Sequence, residues 1–278
     1  MKVWVHIITV GASSITNLLK EDRVLKSLKL NIKRLPELEK ALLSGEVDRE
    51  RLLQELIDFI LKDPKKASAE LHTCLDLLDE GYRRGRQQWV YLFHTDTEIG
   101  RLCAEALYRS LNKISHDKYD SRIACMEPRE VRGLGNSSSF RDGLANLFEM
   151  IVNCIRTHKK KGDVIFVHAT GGFKPESAIA LLAANMPGLG APVFYVHEHF
   201  KEVIRIPAIP LSLRSWEKFR GLMERIIEFT RLPRVQLVKQ FGLNIVEEAI
   251  RIGWIEEDEG GEYLRATAMG RLLWKAIL

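Results

Sequence analysis

Asp163-Val-Ile-Phe-Val-His168-Ala-Thr170-Gly171-Gly172-Phe173-Lys174-Pro175-Glu176 sets an apolar, largely β-branched run, a paired-glycine turn, a lysine and a proline-led start in immediate succession. The run predicts a strand from Asp163 to Thr170, and the proline predicts a helix from Pro175 to Ala184, because a helix start has no use for the missing N–H. Paired glycines let backbone amides approach a phosphate, the helix start adds positive potential, and Lys174 supplies a full charge at that spot. The alternative is an ordinary strand-to-helix turn with a solvated lysine.

The same alternation extends outward in both directions. Val3 to Val10 is a short β-branched strand, broken by Gly11-Ala12-Ser13-Ser14, and Asn17 to Leu30 turns helical in period. From Leu35 to Tyr82 apolar residues recur at helical spacing (Leu52, Leu53, Leu56, Ile57, Ile60, then Leu71, Leu75, Leu78), with Pro36 and Pro64 near helix starts. Gln88 to His94 reads as the next strand, His94 to Thr97 as its exit, and Glu98 to Leu111 as a helix. Arg122 to Met126 is a short strand, Ser139 to Thr157 a serine-capped helix, and Pro192 to His197 and Val203 to Ile206 two more strands. Strands alternating with helices predict an α/β fold: a Rossmann-like, doubly wound, mainly parallel sheet of about six strands.

Ile206-Pro207-Ala208-Ile209-Pro210 reads as a stiff linker, dividing the chain into domains 1–210 and 211–278. Beyond it come an amphipathic helix from Ser215 to Phe229, helices at Arg234–Phe241 and Asn244–Ile252, and strand-like Trp254–Glu256 and Tyr263–Arg265 around Gly260-Gly261. A last helix starts at Ala268. This order predicts a C-terminal winged helix-turn-helix.

Composition bounds the function. The 278 residues are 46% hydrophobic and 28% charged, which excludes disordered, collagenous and disulfide-scaffold classes. A net charge of +5 suits an anionic partner. Cys74, Cys103, Cys125 and Cys154 form no CxxC pair and read as buried free thiols. Met1 to Val10 is better read as a buried first strand than as a leader, and no stretch is long and apolar enough for a membrane span, so the expected address is the cytoplasm.

No GxxxxGK[ST] loop, dinucleotide fingerprint or GxSxG elbow is present, so neither ATP nor NAD nor an esterase nucleophile is indicated, and no cofactor is expected. Ser13 and Lys174, at two strand exits, are placed to share the crevice where open α/β sheets bind ligands, with Asp96 and Thr97 at a third exit. A hydroxyl, a lysine and exposed glycine amides suit a phosphodiester rather than a metal. His168 reads either as a general base or as a hydrogen-bonded structural residue, with His6 and His94 weaker candidates. Arg132-Gly133-Leu134-Gly135 is either a mobile cover carrying Arg132 to phosphate or a plain surface loop.

Gly11-Ala12-Ser13, the run from Leu92 to Glu105, the Thr170-Gly-Gly-Phe-Lys174-Pro-Glu176 segment and Tyr195 to Phe200 together resemble the CRISPR-associated CARF proteins. The resemblance is closest to the archaeal ring nucleases, which join a CARF domain to a C-terminal winged helix, and it is weakest between Leu18 and Gly85. Ala12 departs from the glycine-threonine-serine usual in that family.

The resemblance implies that a cyclic oligoadenylate, most often cyclic tetra-adenylate, binds at a homodimer interface. It is cleaved there to linear di-adenylate with a 2',3'-cyclic phosphate, ending the type III antiviral signal. It makes Ser13 and Lys174 catalytic and gives Gly171, Gly172 and Phe173 to the ligand loop. Gly11, Ala12, Ser14, Asn17, Asp96, Thr97, Arg132, Gly133 and His168 complete the expected ligand-binding set.

Physical chemistry agrees with that chemistry: a ribose 2'-hydroxyl lies beside its own phosphodiester, so holding it in line supplies much of the acceleration. The rivals are a ligand-activated HEPN nuclease, a winged-helix transcription regulator and a non-cleaving sensor. The first needs an arginine followed closely by a histidine, yet the last histidine is His199. The second is disfavoured because from Leu211 onward there are 11 Lys+Arg against 10 Asp+Glu, and Glu256-Glu257-Asp258-Glu259 leads the wing, which argues against DNA binding.

Overall fold

The computed structural model describes residues 2–21, 32, 34–172, 174–186, 188–196, 202–208 and 216–277. The chain divides into two compact units, the larger comprising 1–185 with 189–209 and the smaller 186–188 with 210–278.

The larger unit is built around β1 (Trp4–Val10), every residue of which is buried. A strand buried on both faces belongs to the centre of a helix-covered sheet. It pairs in parallel with β2 (Gln88–Thr95) on one side and β5 (Val164–His168) on the other. With β3 (Ile123–Cys125), β6 (Val193–Val196) and β7 (Val203–Ile206) the order is β3-β2-β1-β5-β6-β7, and only β6–β7 is antiparallel among these neighbours. The sheet gains a seventh strand that the sequence reading missed, β4 (Arg129–Val131), parallel to the end of β2. β3 and β4 share one flank of β2, separated by Met126-Glu127-Pro128, where proline lacks the N–H a ladder needs.

One face of the sheet carries α1 (Ser13–Leu18), α2 (Leu35–Ser44), α3 (Arg49–Lys62), α4 (Pro64–Ala67), α5 (Ala69–Arg83) and α6 (Glu98–Lys118). The predicted stripe Leu52, Leu53, Leu56, Ile57, Ile60 of α3 and Leu71, Leu75, Leu78 of α5 is buried with Ile8 and Val10 in one core. Helix starts follow their caps: Asp48 accepts from the Arg51 amide at 3.1 Å, and Ser68 from the Leu71 amide at 3.3 Å. The opposite face carries α7 (Phe140–Lys160), whose His158 meets Tyr91 of β2 at 2.9 Å, and α8 (Lys174–Ala184), packed on α7. The helix expected from Asn17 to Leu30 is contradicted where it is described: α1 starts four residues earlier, at Ser13, and ends at Leu18, residues 19–21 are not helical, and residues 22–30 lie outside the described ones. The four cysteines are buried free thiols, and burial pushes Cys103, Cys125 and Cys154 up to about 12.

The smaller unit has its own core of Phe219, Leu222, Met223, Ile226, Leu237, Val246, Leu264 and Trp274 among others. The single helix expected from Ser215 is a 3₁₀ turn (Trp216–Phe219) followed by α9 (Arg220–Phe229). Then come β8 (Arg231–Pro233), α10 (Arg234–Phe241), α11 (Leu243–Arg251), β9 (Ile255–Glu257), β10 (Tyr263–Ala266) and α12 (Ala268–Ile277). The sheet order is β8-β10-β9, antiparallel throughout. The extra strand β8 forms because residues 231–233 leave α9 extended and pair with β10.

Candidate functional site

The chain runs from β1 to β2 on one side while β5 stands on the other, so the loops leaving β1 and β5 part over the carboxyl edge of the sheet. Open α/β sheets bind ligands at that switch point. Two adjoining cavities of about 440 Å³ each open there, sharing Gly11, Ala12, Ser13, Thr16 and Gly172. The first is walled by apolar Leu35, Pro36, Ile99 and Leu134, and the second by polar Asn17, Lys20, Glu70 and Thr170. A mostly apolar hollow beside a polar one is the lining a base and its phosphate would need.

Glycine is required where the two loops meet. A Cβ on Gly11 would overlap the Gly172 amide, and one on Gly171 would strike the Thr9 carbonyl, a Glu70 carboxylate oxygen and the Gly11 amide. Gly172 also holds φ +93°, a conformation side chains rarely adopt, with the Glu176 carboxylate against it. Thr9 Oγ donates to the Gly171 carbonyl at 2.8 Å, and the Val196 amide donates to Thr170 Oγ at 3.1 Å, tying the loop to β1 and β6.

Beneath this junction lies Glu70, 1% exposed in the first turn of α5. Its Oε1 accepts from the Gly11 amide at 2.9 Å, and its Oε2 from Ser68 Oγ at 2.7 Å and from Ser13 Oγ. The Ala69 amide donates to Ser13 Oγ at 3.1 Å. Sequence reasoning missed Glu70, although a signal exists: it precedes Cys74 and Leu78 at four-residue spacing, so a carboxylate sits on the apolar stripe of α5. Glu176, 2% exposed and lining the first cavity, breaks the buried face of α8 in the same way.

The structure brings together Gly11, Ala12, Ser13, Asn17, Gly171 and Gly172 around the second cavity, and Thr97 joins them along the first. Lys174 opens α8, exposed, two residues beyond Gly172. Phe173 lies outside the described residues, as does the stretch from His197 to Phe200. Asn17 spends its amide on the Ala67 carbonyl at 3.1 Å.

Four expectations need correction. His168 is fully buried, its Nε2 3.1 Å from His6 Nδ1, and lines neither cavity, because it alternates onto the face beneath α5. Ser14 points into the core at 1% exposure, one residue round α1 from Ser13. Asp96 does not face the crevice. Its carboxylate accepts from the Gly133 amide at 2.7 Å and the Gly135 amide at 2.5 Å, and these bonds outweigh burial and hold it below the usual carboxylate range. Arg132-Gly133-Leu134-Gly135 is therefore a fastened wall: Leu134 is buried, Asn146 donates to the Arg132 carbonyl at 2.9 Å, and Gly133 packs on Gly143. Arg132 and Gly133 line neither cavity. Thr97 caps α6, accepting from the Gly100 amide at 3.0 Å, assisted by Glu39 of α2, which accepts from the Glu98 and Ile99 amides.

Residues 65–209 match the family model described as CRISPR-associated protein (Cas_APE2256). The chain belongs to this CRISPR-associated family. The matched span includes Glu70, the Asp96–Thr97 exit and the glycine turn with Lys174. Among solved structures, that of Can2 from Sulfobacillus thermosulfidooxidans in complex with cyclic tetra-adenylate aligns with this Cas_APE2256 family member at 10% identity and a TM-score of 0.30. The alignment takes in 98% of this chain and 61% of that one. Among the described residues no helix is long and apolar enough to cross a membrane.

Proposed function

We propose that this protein is a ring nuclease that binds cyclic tetra-adenylate in a homodimer and cleaves it to linear di-adenylate with a 2',3'-cyclic phosphate. The observation that carries this reading is the crevice at the switch point. Gly11 to Ser13 bound it on one side and Gly171–Gly172 on the other, with Lys174 at the start of the eleven-residue α8. Membership of a CRISPR-associated family and the resemblance of these segments to CARF ring nucleases support it.

In this mechanism the loop amides and Ser13 fix a ribose 2'-hydroxyl in line with the adjacent phosphodiester, and Lys174 stabilises charge on phosphoryl oxygens or leaving oxygen. Each such contribution is about 2–4 kcal/mol. A two-fold axis sets two lysines across a near four-fold ring, so two opposite bonds break. The reaction proceeds without a metal, in the cytoplasm, and makes no membrane contact.

The smaller unit reads as a winged helix that supports the dimer. Its cations are largely spent on neighbouring acids: Lys218 on Glu248 at 2.6 Å, Arg234 on Glu247 and Glu257, Arg231 on Asp258 at 2.5 Å, and Arg265 on Glu256 at 2.9 Å.

The test is incubation of the purified protein with labelled cyclic tetra-adenylate in EDTA, with products resolved by mass. Linear di-adenylate ending in a cyclic phosphate is expected, and Lys174→Ala slows its formation by about 10²–10³. Intact ring that stays bound to the protein favours a sensor, and undiminished cleavage by Lys174→Ala removes that residue from the mechanism.

A further inference from the structure

We propose that Glu70 accepts the proton of the attacking ribose 2'-hydroxyl through Ser13, which makes it the positioning and proton-accepting partner of the reaction. The inference rests on the ring-nuclease reading. That reading leaves the 2'-hydroxyl without a base, since His168 is buried beneath α5 and lines neither cavity.

Hydrogen-bond accounting at Ser13 points to the relay. A serine hydroxyl has one donor and two acceptor positions. Here the proton goes to Glu70 Oε2 and one lone pair takes the Ala69 amide. Ser13 therefore has no proton to offer a phosphate while Glu70 is ionised, but it keeps one lone pair on a residue lining both cavities. That lone pair accepts a donor, and the donor in a ribose phosphodiester is the 2'-hydroxyl.

Glu70 is held for the task. The Gly11 amide and Ser68 Oγ fix both carboxylate oxygens, and no ion pair of the described residues involves it. Lys20 lines the second cavity with it, and the titratable groups on its buried side are thiols, Cys74 on its own helix and Cys103 on α6, both pushed upward by burial, Cys103 to about 12. The thiols stay protonated near neutral pH and contribute no titration of their own. Ser13, Ser68 and the Gly11 and Gly171 backbone complete its surroundings.

The step balances. The 2'-oxygen forms its bond to phosphorus as its proton passes to Ser13 Oγ, while the Ser13 proton passes to Glu70 Oε2. The bond from phosphorus to the 5'-oxygen breaks, and the leaving oxygen takes a proton from water. Glu70 then returns its proton to water.

Single-turnover cleavage of cyclic tetra-adenylate is measured for wild type, Glu70→Gln, Ser13→Ala and the double variant, from about pH 5.5 to 9, alongside ligand affinity and circular dichroism. Glu70→Gln is expected to lose on the order of 10²–10⁴ in rate with affinity changed less than about threefold. Its log rate climbs with unit slope in pH, because hydroxide must replace the carboxylate, whereas the wild-type rate levels off. Ser13→Ala shows the same slope, and the double variant is no slower than the slower single, as for two parts of one relay. Glu70→Asp keeps a carboxylate and the wild-type shape, so the test survives a Gln variant that fails to fold. Equal slowing of Glu70→Gln at every pH, or additive losses, overturns the relay and leaves Glu70 as an anchor for the loops. A wild-type protein that leaves the ring intact overturns the ring-nuclease reading itself, and the relay falls with it.

Discussion

Gly171 sits with the Thr9 carbonyl, the Glu70 carboxylate and the Gly11 amide all within reach of a single added carbon. None of the three can retreat, because two are backbone and the third is fastened by the Gly11 amide and two serine hydroxyls. Gly171→Ala is therefore expected to cost about 1–3 kcal/mol in urea unfolding and to weaken ring binding together with cleavage, since it spreads the loops that frame the crevice. Wild-type stability in this variant would show that the junction is looser than its packing. The motif Thr170-Gly-Gly-Phe-Lys174 was legible residue by residue. Glu70 was overlooked because it comes from a helix whose sequence carries no phosphate-binding pattern, and only the fold brings it under Ser13.

Between the sheet and α5, a chain of side chains runs from Leu78 through Gln88 and His6 to His168. Gln88 Nε2 donates to the Leu78 carbonyl at 2.8 Å, which turns its Oε1 toward His6 Nε2 at 3.0 Å, and His6 Nδ1 then meets His168 Nε2 at 3.1 Å. Each contact takes one proton, so a second proton on His6 would set N–H against N–H, and a second proton on His168 would sit on its Nδ1, which is buried. Burial lowers His6 to about 4, and lowers His168 well below the ordinary histidine value, with the His6 charge adding to the effect. Both folded values lie below the unfolded one near 6.5, so at lower pH the unfolded chain binds protons the folded chain refuses. Stability is expected to hold above about pH 6.5 and to fall as pH drops toward 4, by up to roughly 1.4 kcal/mol per pH unit for each histidine. Urea midpoints at a series of pH values check this, and a flat profile across that window would show the histidines protonating without cost.

On the scale of the whole molecule, the chain carries two separate cores, and their charges differ in use. The overall +5 suits an anionic ligand, yet in the smaller unit most basic side chains already face acids. Fluorescence polarisation with labelled duplex DNA is expected to show only weak, salt-sensitive association, no tighter than about 10⁻⁴–10⁻⁶ M at physiological salt. Tight binding that survives added salt would restore the regulator reading and make the smaller unit the DNA-reading part.

Local signals sufficed for what short-range physics governs. β-Branched and aromatic runs marked β1, β2 and β5, proline marked helix starts, and the four-residue stripe of α3 and α5 marked their buried faces, whereas Ser139, expected as a cap, turns its hydroxyl to the Gly133 carbonyl instead. That Ser13 and Lys174 follow strands ending at the same edge of the sheet also followed from the sequence, because strand direction fixes which end of a parallel sheet the loops leave, although Lys174 lines neither cavity. Of the three-residue strands, β3 and β9 were legible but β4 and β8 were not, since these two segments are strands only because a neighbour offers a free edge. Whether a side chain at the crevice faces ligand or core was likewise beyond the sequence. Ser13 and Ser14 differ by one step round a helix, and Asp96 turns to the amides of residues 133 and 135 because the fold carries them there. Tertiary structure alone decided these matters, because burial and hydrogen-bond partners come from chain segments remote in sequence.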